Sequence, residues 1–304
     1  VKGLVKERLS GRADRLKAED MTITARPSVV TRALLEDLSL IAREVSSRII
    51  MPRFGRLAKE DIHTKTSSSD LVTVADVLAE EYLSTQLRRL LPKAQLIGEE
   101  RCSAHPSLVD QAAEAELAVT IDPIDGTANY AAGLPVFGVM MAVLEHGVPT
   151  ASVIMDPVTQ SVALALRHEG AWAEDETGQT TPLQVAAPFH CIEDITGKIA
   201  WRTLPLGDTI LADHNLRAMT GLWDLRCAAQ EYRLIASGHG HVLAYSRTCL
   251  WDHCPGWLLL HEAGGYGARL NGAPYHAAIP GRGLLYAPDE ESWHIVHNAL
   301  ALSS

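Results

Sequence analysis

The sequence has no long apolar run, no paired cysteines and no basic block, and each absence removes a class of protein. Its longest nearly uncharged apolar stretch, Leu134 to Leu144, is about half what a bilayer-spanning helix needs and carries a Pro and a Gly. No transmembrane helix is expected. The five cysteines (Cys102, Cys191, Cys227, Cys249, Cys254) are odd in number, scattered and without a C-x-x-C pair, which fits neither a disulfide framework nor a zinc knuckle. A reducing cytoplasm is the expected setting. Lys and Arg total 27 against 37 Asp and Glu, giving a net charge of −10 and a pI near 5.7. With no Lys/Arg cluster to offset that charge, binding to nucleic acid or to an anionic membrane is not expected. What is present, 47% hydrophobic and 21% charged residues over 304 positions, is the composition of a globular protein of one large or two ordinary domains.

Residues 1–27 mix Lys, Arg, Glu and Asp (Lys2, Lys6, Glu7, Arg8, Arg12, Asp14, Arg15) and lack the apolar core of a signal peptide, so they read as a polar extension. From Ser28 to Ile50 the spacing of Leu34, Leu38, Ile41, Val45 and Ile49 predicts an amphipathic helix stopped by Pro52. After a polar loop, His63 to Asp70, Thr73 and Asp76 form a capping-box pair. Leu83, Leu87, Leu90 and Leu91 then mark a second helix ended by Pro92. Strands are expected at Gln95 to Ile97 and Leu117 to Ile121. An antiparallel meander follows over Phe137 to Leu144, Ala151 to Met155 and Ser161 to Leu166. Residues 175–215 look irregular and divide the chain into an N-terminal lobe, 28–180, and a C-terminal lobe, 181–304. The second lobe should hold helices at Ala228 to Ser237, Pro255 to Ala263 and Glu290 to Leu300, with a strand at His241 to Tyr245. Gly264-Gly265 reads as the C-cap of the Pro255 helix. The fold class is mixed α/β (α+β).

Carboxylates gather where predicted strands end: Ile97-Gly98-Glu99-Glu100, Ile121-Asp122-Pro123-Ile124-Asp125-Gly126-Thr127, and Trp251-Asp252-His253, with Asp76 in the capping box. Singly, each has an ordinary explanation. Asp76 caps a helix, Asp252 could cap the next one, Asp125-Gly126 is a turn, and Glu100 is solvated. Asp122 and Asp125 leave one apolar strand with a Pro between them, and two carboxylates held that close repel unless a cation neutralises them. Oxygen ligands without His or Cys suit Mg²⁺. Gly126-Thr127-Ala128-Asn129 then supplies backbone N–H groups that can face an anion.

Together these segments, with Lys65 and Asp70-Leu71-Val72-Thr73-x-x-Asp76 before them and Glu262-Ala263-Gly264-Gly265 after Trp251-Asp252, resemble the inositol monophosphatase family. These are metal-dependent, lithium-sensitive sugar phosphatases. The resemblance implies a layered αβαβα sandwich with two sheets, commonly assembled as a homodimer. It implies two or three Mg²⁺ ions. The first would sit on Glu99, Asp122 and the Ile124 carbonyl, the second on Asp122, Asp125 and Asp252, and a third on Glu99 and Asp76. Glu99 and Thr127 would polarise the attacking water, with Asp122 bridging two ions. Gly126 and Thr127 N–H groups would hold phosphate oxygens near the charge of Lys65, and Asp125 and Asp252 would border the substrate.

Two other readings compete. An aspartyl-nucleophile phosphatase needs its two Asp one residue apart, whereas Asp122 and Asp125 are three apart. A catalytically inactive metal-binding scaffold of the same fold is the rival from another class. The substrate is expected to be a small phosphate ester. Inositol monophosphate comes first, with histidinol phosphate, fructose 1,6-bisphosphate and 3′-phosphoadenosine 5′-phosphate as alternatives. Where inositol-specific members carry a Gly-Ser/Thr-Ala stretch and an acidic residue that contact sugar hydroxyls, this chain has Arg226-Cys227-Ala228 and Tyr245. Losing the acid and gaining Arg226, with Arg247 expected on the same strand face as Tyr245, favours a second negative group on the substrate. The plain alternative is that Arg226 pairs with Glu231. His253 reads as a helix-start residue packed on another element, Cys249 and Cys254 as buried thiols, and Trp251 and Trp257 as packing residues.

Overall fold

The computed structural model describes residues 28–65, 70–207, 209–277 and 283–302; the polar segment 1–27 lies outside them. Helix α1 (Arg32–Val45) begins where the Thr31 hydroxyl accepts the Leu34 N–H at 3.2 Å, and it runs into a π-helical turn, Ser46–Ile50. β1 (Ile62–Thr64) and β2 (Leu71–Thr73) pair antiparallel; Lys65 follows β1 directly, and its N–H donates to the Asp70 carbonyl at 2.8 Å. Helix α2 (Val74–Leu90) opens with the expected capping box of Thr73 and Asp76. β3 (Gln95–Gly98) leads into the short helices α3 (Glu99–Ala104) and α4 (Leu108–Glu114), and β4 (Leu117–Asp125) into α5 (Thr127–Ala131). The meander follows: β5 (Gly138–Glu145), β6 (Val148–Asp156), β7 (Ser161–Leu166), β8 (Gly170–Glu174) and β9 (Thr180–Pro182).

The remaining elements are β10 (Thr196–Ile199), α6 (Thr209–Ala218), β11 (Gly221–Leu222), α7 (Ala228–Ala236) and β12 (Val242–Tyr245). After them come α8 (Leu250–Glu262), β13 (Tyr266–Ala268), β14 (Leu284–Ala287) and α9 (Glu290–Ala299). β3 to β9 form one sheet in chain order, parallel only between β3 and β4, and a five-stranded sheet runs β11-β10-β12-β14-β13.

Alternation along β5 shows how the layers stack. Val139, Met141 and Val143 pack with Leu35, Leu38, Leu83 and Leu87 of α1 and α2, while Met140, Ala142 and Leu144 pack with Tyr232, Leu258 and Leu259 of α7 and α8. A strand buried on both faces reads as an unbroken apolar run, which is why Phe137 to Leu144 shows no polar alternation. Each fully buried leucine here contributes about 1.5–3 kcal/mol. Leu243, Leu284 and Tyr286 of the second sheet cover the other side of α7 and α8, and Ala244, Leu285 and Ala287 turn outward to Trp293 and Val296 of α9. The order of layers is αβαβα, and α7 and α8, from the C-terminal half, fill the space between the sheets.

Three expectations need correction. β4 does not stop at Ile121 but continues through Asp125. Helix α8 starts at Leu250, not Pro255; Cys249 occupies the cap, Asp252 lies in the first turn, and Pro255 sits inside the helix. Segment 175–215 holds β9, β10 and the start of α6, and β10 (Thr-Gly-Lys-Ile) escapes pattern reading because it is short and has a Gly and a Lys. The C-cap holds: Gly264 is left-handed at φ 90°, and Gly265 N–H donates to the Leu260 carbonyl at 2.9 Å. Among the described residues no helix is long and apolar enough to cross a membrane.

Candidate active site

The site is built around an irregularity in β4. Asp122 faces Met140 and Asp125 faces Gly138, so two residues of β4, Pro123 and Ile124, stand against one of β5. Pro123 has no N–H to give the ladder, and the bulge there bends the strand so that both aspartates leave at its end. Asp122 is 2% exposed, and its Oδ1 accepts the Ile124 N–H at 3.1 Å. Gly126 then turns the chain at φ 84°; a Cβ there would sit 3.0 Å from the Val136 carbonyl oxygen and 3.1 Å from Cys227 Cβ, so only glycine fits.

Asp76 does more than cap α2. Its Oδ2 accepts the Thr73 N–H and hydroxyl at 2.8 and 2.6 Å, while its Oδ1 accepts the Thr127 hydroxyl at 3.1 Å. Thr127 Oγ1 also lies 3.0 Å from the Ile124 carbonyl oxygen, so the cap of α2 and the bulge of β4 are tied through one hydroxyl.

Lys65 donates to Glu99 at 2.8 Å and to Glu100 at 2.7 Å. Glu100 is therefore not a solvated side chain, as expected from the sequence, but one half of a fork on Lys65. Burial, then the charge of Glu99, pushes its pKa up to about 8. Burial opposes the charge on Lys65, but Glu99 and Glu100 together outweigh it and raise its pKa.

Glu80, which the sequence did not single out, secures α3 from below. Buried in α2, it accepts the N–H groups of Glu100 and Arg101 at 2.7 and 3.1 Å. Gly98 makes room, since a Cβ there would overlap the Glu80 carboxyl group. Two helix-start donors thus find an acceptor that no neighbour in sequence supplies. Glu80→Ala is expected to cost about 1–3 kcal/mol by orphaning them, read as a lower urea midpoint at unchanged slope. A midpoint equal to wild type would show that the clamp carries no stability.

Asp125 is gripped by the start of α7: its Oδ2 accepts the Ala229 N–H at 2.5 Å and the Cys227 thiol at 3.1 Å. Ala228, expected at the substrate, lies buried at the first position of that helix. Burial raises the pKa of Asp76 and Asp125 to about 6 each, with Glu99 adding to both. Asp122 is raised by burial and then by Glu99, Asp125, Asp252 and Asp76; Asp252 is raised by burial and then by Asp125 and Glu99, with a hydrogen bond to Asp122 opposing. Four aspartates and Glu99, brought from four separate stretches of chain, thus share one electrostatic field. The donor set, oxygen without His or Cys, fits a hard divalent cation. Among the described residues no three acidic, His or Cys groups stand ready around one point. The hydrogen bonds account for that: Lys65 holds Glu99, Thr73 and Thr127 hold Asp76, and α7 holds Asp125.

Beside this field opens a cleft of about 320 Å³ lined by Asp70, Leu71, Glu99, Gly126, Thr127, Ala128 and Arg226. Two pocket expectations, for Tyr245 and Arg247, change here, and the plain alternative for Arg226 falls. Arg226 lines the cleft and does not pair with Glu231, whose carboxylate accepts from Leu225 N–H at 3.0 Å, Lys198 at 3.0 Å and the Tyr245 hydroxyl at 2.8 Å. Tyr245 is buried on Glu231 and packed between the Tyr232 ring and Lys198, so it offers nothing to a ligand. β12 ends at Tyr245, which leaves Arg247 off the strand and exposed.

Other readings hold. His253 is buried between the Tyr232 hydroxyl, 2.7 Å from Nδ1, and the Arg247 carbonyl oxygen, and burial lowers its pKa to about 3. Cys254 is buried against Tyr275, and Trp251 and Trp257 pack on the central core, but Cys249 is only half-buried and not the buried thiol expected.

Comparison with known proteins agrees with this architecture. The model of the inositol monophosphatase family matches residues 34–301, and the chain belongs to that family of phosphatases. The chain is 28% identical to the Nus factor SuhB of Xylella fastidiosa over 240 residues, covering 76% of this chain and 80% of that protein. It is also 28% identical to the histidinol-phosphatase of Mycobacterium tuberculosis over 264 residues, covering 82% and 94%. The solved structure of SaIMPase-II with inositol monophosphate bound superposes with a TM-score of 0.69 at 19% identity, covering 88% of this chain and 94% of that one. That likeness bears on the fold.

Proposed function

We propose that this chain is a Mg²⁺-dependent phosphomonoesterase that hydrolyses a small phosphate ester by attack of water on phosphorus. The observation that carries it is the mutual repulsion of Asp122, Asp125, Asp252, Asp76 and Glu99, each of the four aspartates raised in pKa by burial and by other carboxylates of the set. Such a field is costly unless cations neutralise it. Glu99, Asp122, the Ile124 carbonyl, Asp125, Asp252 and Asp76 would hold two or three Mg²⁺ ions. When bound, Mg²⁺ supplies the charge that eases ionisation of water near neutral pH and stabilises attacking and leaving oxygens.

The chain's own groups do the rest. Thr127, already hydrogen-bonded to Asp76, would orient the attacking water with Glu99 as its proton acceptor. The Gly126 and Thr127 N–H groups would hold phosphate oxygens, and Lys65 keeps Glu99 in place. Inositol monophosphate is the first substrate reading, supported by the family and by the ligand of SaIMPase-II. Histidinol phosphate is the second, supported by the name of the M. tuberculosis relative. A cytoplasmic homodimer belongs to the same proposal, with light scattering as the check on assembly.

The deciding experiment is phosphate release from a panel of these esters with Mg²⁺ and with chelator. Magnesium-dependent release supports the enzyme, and binding of Mg²⁺ without release from any ester supports the inactive scaffold. Thr127→Ala is expected to lower kcat about tenfold or more while Mg²⁺ binding by calorimetry stays near wild type, because an orienting hydroxyl matters most in the transition state. Equal losses of ion affinity and rate would make Thr127 structural instead.

A further inference from the structure

We propose that Arg226 forms a subsite for a second anionic group, carboxylate or phosphate, on the leaving-group part of the substrate. The proposal rests on the phosphomonoesterase reading and deepens it. Arg226 is the one cationic residue among those lining the cleft, which otherwise presents the carboxylates of Asp70 and Glu99 and the turn at Gly126 and Thr127. Among the described residues its guanidinium has no ion pair; Glu231 on α7 is committed to Lys198, Tyr245 and the Leu225 N–H, and Asp224 to Lys198 and the Arg226 N–H.

The side chain of Arg226 is exposed, but its backbone is fixed, which separates it from an ordinary surface arginine. Its backbone is left-handed at φ 53°, a conformation that costs a non-glycine residue free energy and persists only where surroundings enforce it. Three ties enforce it. Asp224 accepts the Arg226 N–H at 2.9 Å, Glu231 accepts the Leu225 N–H at 3.0 Å, and the Leu225 carbonyl accepts from Asn129 at 2.8 Å. Asn129 lies on α5, two residues beyond Thr127, so the loop bearing Arg226 is bolted to the element that would hold the phosphoryl group. The nearby lysines are committed, Lys198 to Glu231 and Asp224, where it covers Tyr245, and Lys65 to Glu99 and Glu100, which leaves the guanidinium as the cleft-lining cation with no ion pair among the described residues.

A neutral polyol would leave that fork without an acceptor. A carboxylate or a second phosphate matches it with two parallel N–H bonds. The loop is tied to α5 through Asn129 and, through the neighbouring Cys227 and Ala229, to Asp125, so the contact is read as a ratio between esters, in which a general loss at the metal carboxylates cancels.

The test compares esters that differ in the second anion: glycerol 2-phosphate with 2-phosphoglycerate, and fructose 1-phosphate with fructose 1,6-bisphosphate. For each pair the readout is the ratio of kcat/KM, doubly charged over singly charged, in the full chain with Mg²⁺. Wild type is expected to favour the doubly charged member of at least one pair by about tenfold to a hundredfold, the range for a charge-assisted hydrogen bond. The carboxylate and phosphate arms show which anion the site takes. Arg226→Gly, which suits the left-handed backbone and should fold, is expected to bring that ratio toward one, and Arg226→Lys to keep part of it. A wild-type ratio near one in both pairs overturns the subsite. So does a ratio that Arg226→Gly leaves unchanged because both members fall together, which would place Arg226 on the hydrolysed phosphoryl group. Release from inositol monophosphate or histidinol phosphate but from none of these four overturns the subsite alone, whereas absence of release from all six esters defeats the phosphomonoesterase reading and the subsite with it.

Discussion

Asp122→Asn is expected to reduce Mg²⁺-dependent phosphate release at least about a hundredfold, equivalent to about 2.7 kcal/mol of transition-state stabilisation. The substitution preserves shape and the Oδ1 that accepts the Ile124 N–H, so what it removes is charge at the bulge of β4. The neighbouring aspartates already have partners of their own. Asp76 and Asp125 are held by Thr73, Thr127, Cys227 and Ala229, and Asp252 by its hydrogen bond to Asp122 itself. The same change should stabilise the chelated protein at neutral pH, because Asp122 is the group that Glu99, Asp125, Asp252 and Asp76 all repel. Activity should therefore collapse while the melting temperature in EDTA rises. Near-normal turnover at ordinary Mg²⁺ would show that Asp122 holds no essential ion.

The second large effect is on stability. In EDTA the protein is expected to lose stability between pH 6.5 and 8.5, and Mg²⁺ should restore it most at the alkaline end. Glu231, raised to about 7, and Glu100, raised to about 8, carry the loss in this window, while Asp76 and Asp125, raised to about 6, lose most of their contribution below it; burial is the first cause in every case. A carboxyl group whose folded pKa lies above its unfolded one contributes fully below the unfolded value, near pH 4, and loses that contribution as pH rises through the folded value. Each proton still held in this window costs about 1.4 kcal/mol per pH unit as it is removed. His253, lowered to about 3, acts with the opposite sign but only below about pH 6.5, where the unfolded imidazole charges. Mg²⁺ at a hundred times its dissociation constant would return about 2.7 kcal/mol. Thermal denaturation at several pH values with and without Mg²⁺ measures both slopes, and a melting temperature that rises with pH in EDTA would refute the assigned field.

Much of the fold was legible because periodicity is local. The leucines of α1 and α2 repeat every three to four residues, Thr73 and Asp76 announce a cap, and the meander is a series of apolar runs broken by turns. β10 was missed because Thr-Gly-Lys-Ile has neither length nor alternation; its place beside β12 comes from pairing with a strand more than forty residues later. In the site, Asp122 and Asp125 were visible as a pair for the same local reason. Glu80 was not, since a glutamate inside a helix looks solvated until Gly98 brings α3 onto it. Tyr245 and Arg226 were both read as pocket residues, but burial of Glu231 consumed the first and freed the second.

The sequence by itself determined which chemistry was available: oxygen donors without His or Cys, at strand ends and helix starts, with a glycine turn after the central pair. Spacing within a few residues carries that information, because it sets which side chains leave one strand or cap one helix together. Tertiary structure decided which of these groups meet. Thr127 reaches Asp76 across 51 residues, Lys65 reaches Glu99 across 34, and Ala229 reaches Asp125 across 104. Contacts at such separations depend on how the two sheets and the helices between them stack. Only there do burial and neighbouring charge set the carboxylates' affinity for protons and cations and leave Arg226 facing the cleft.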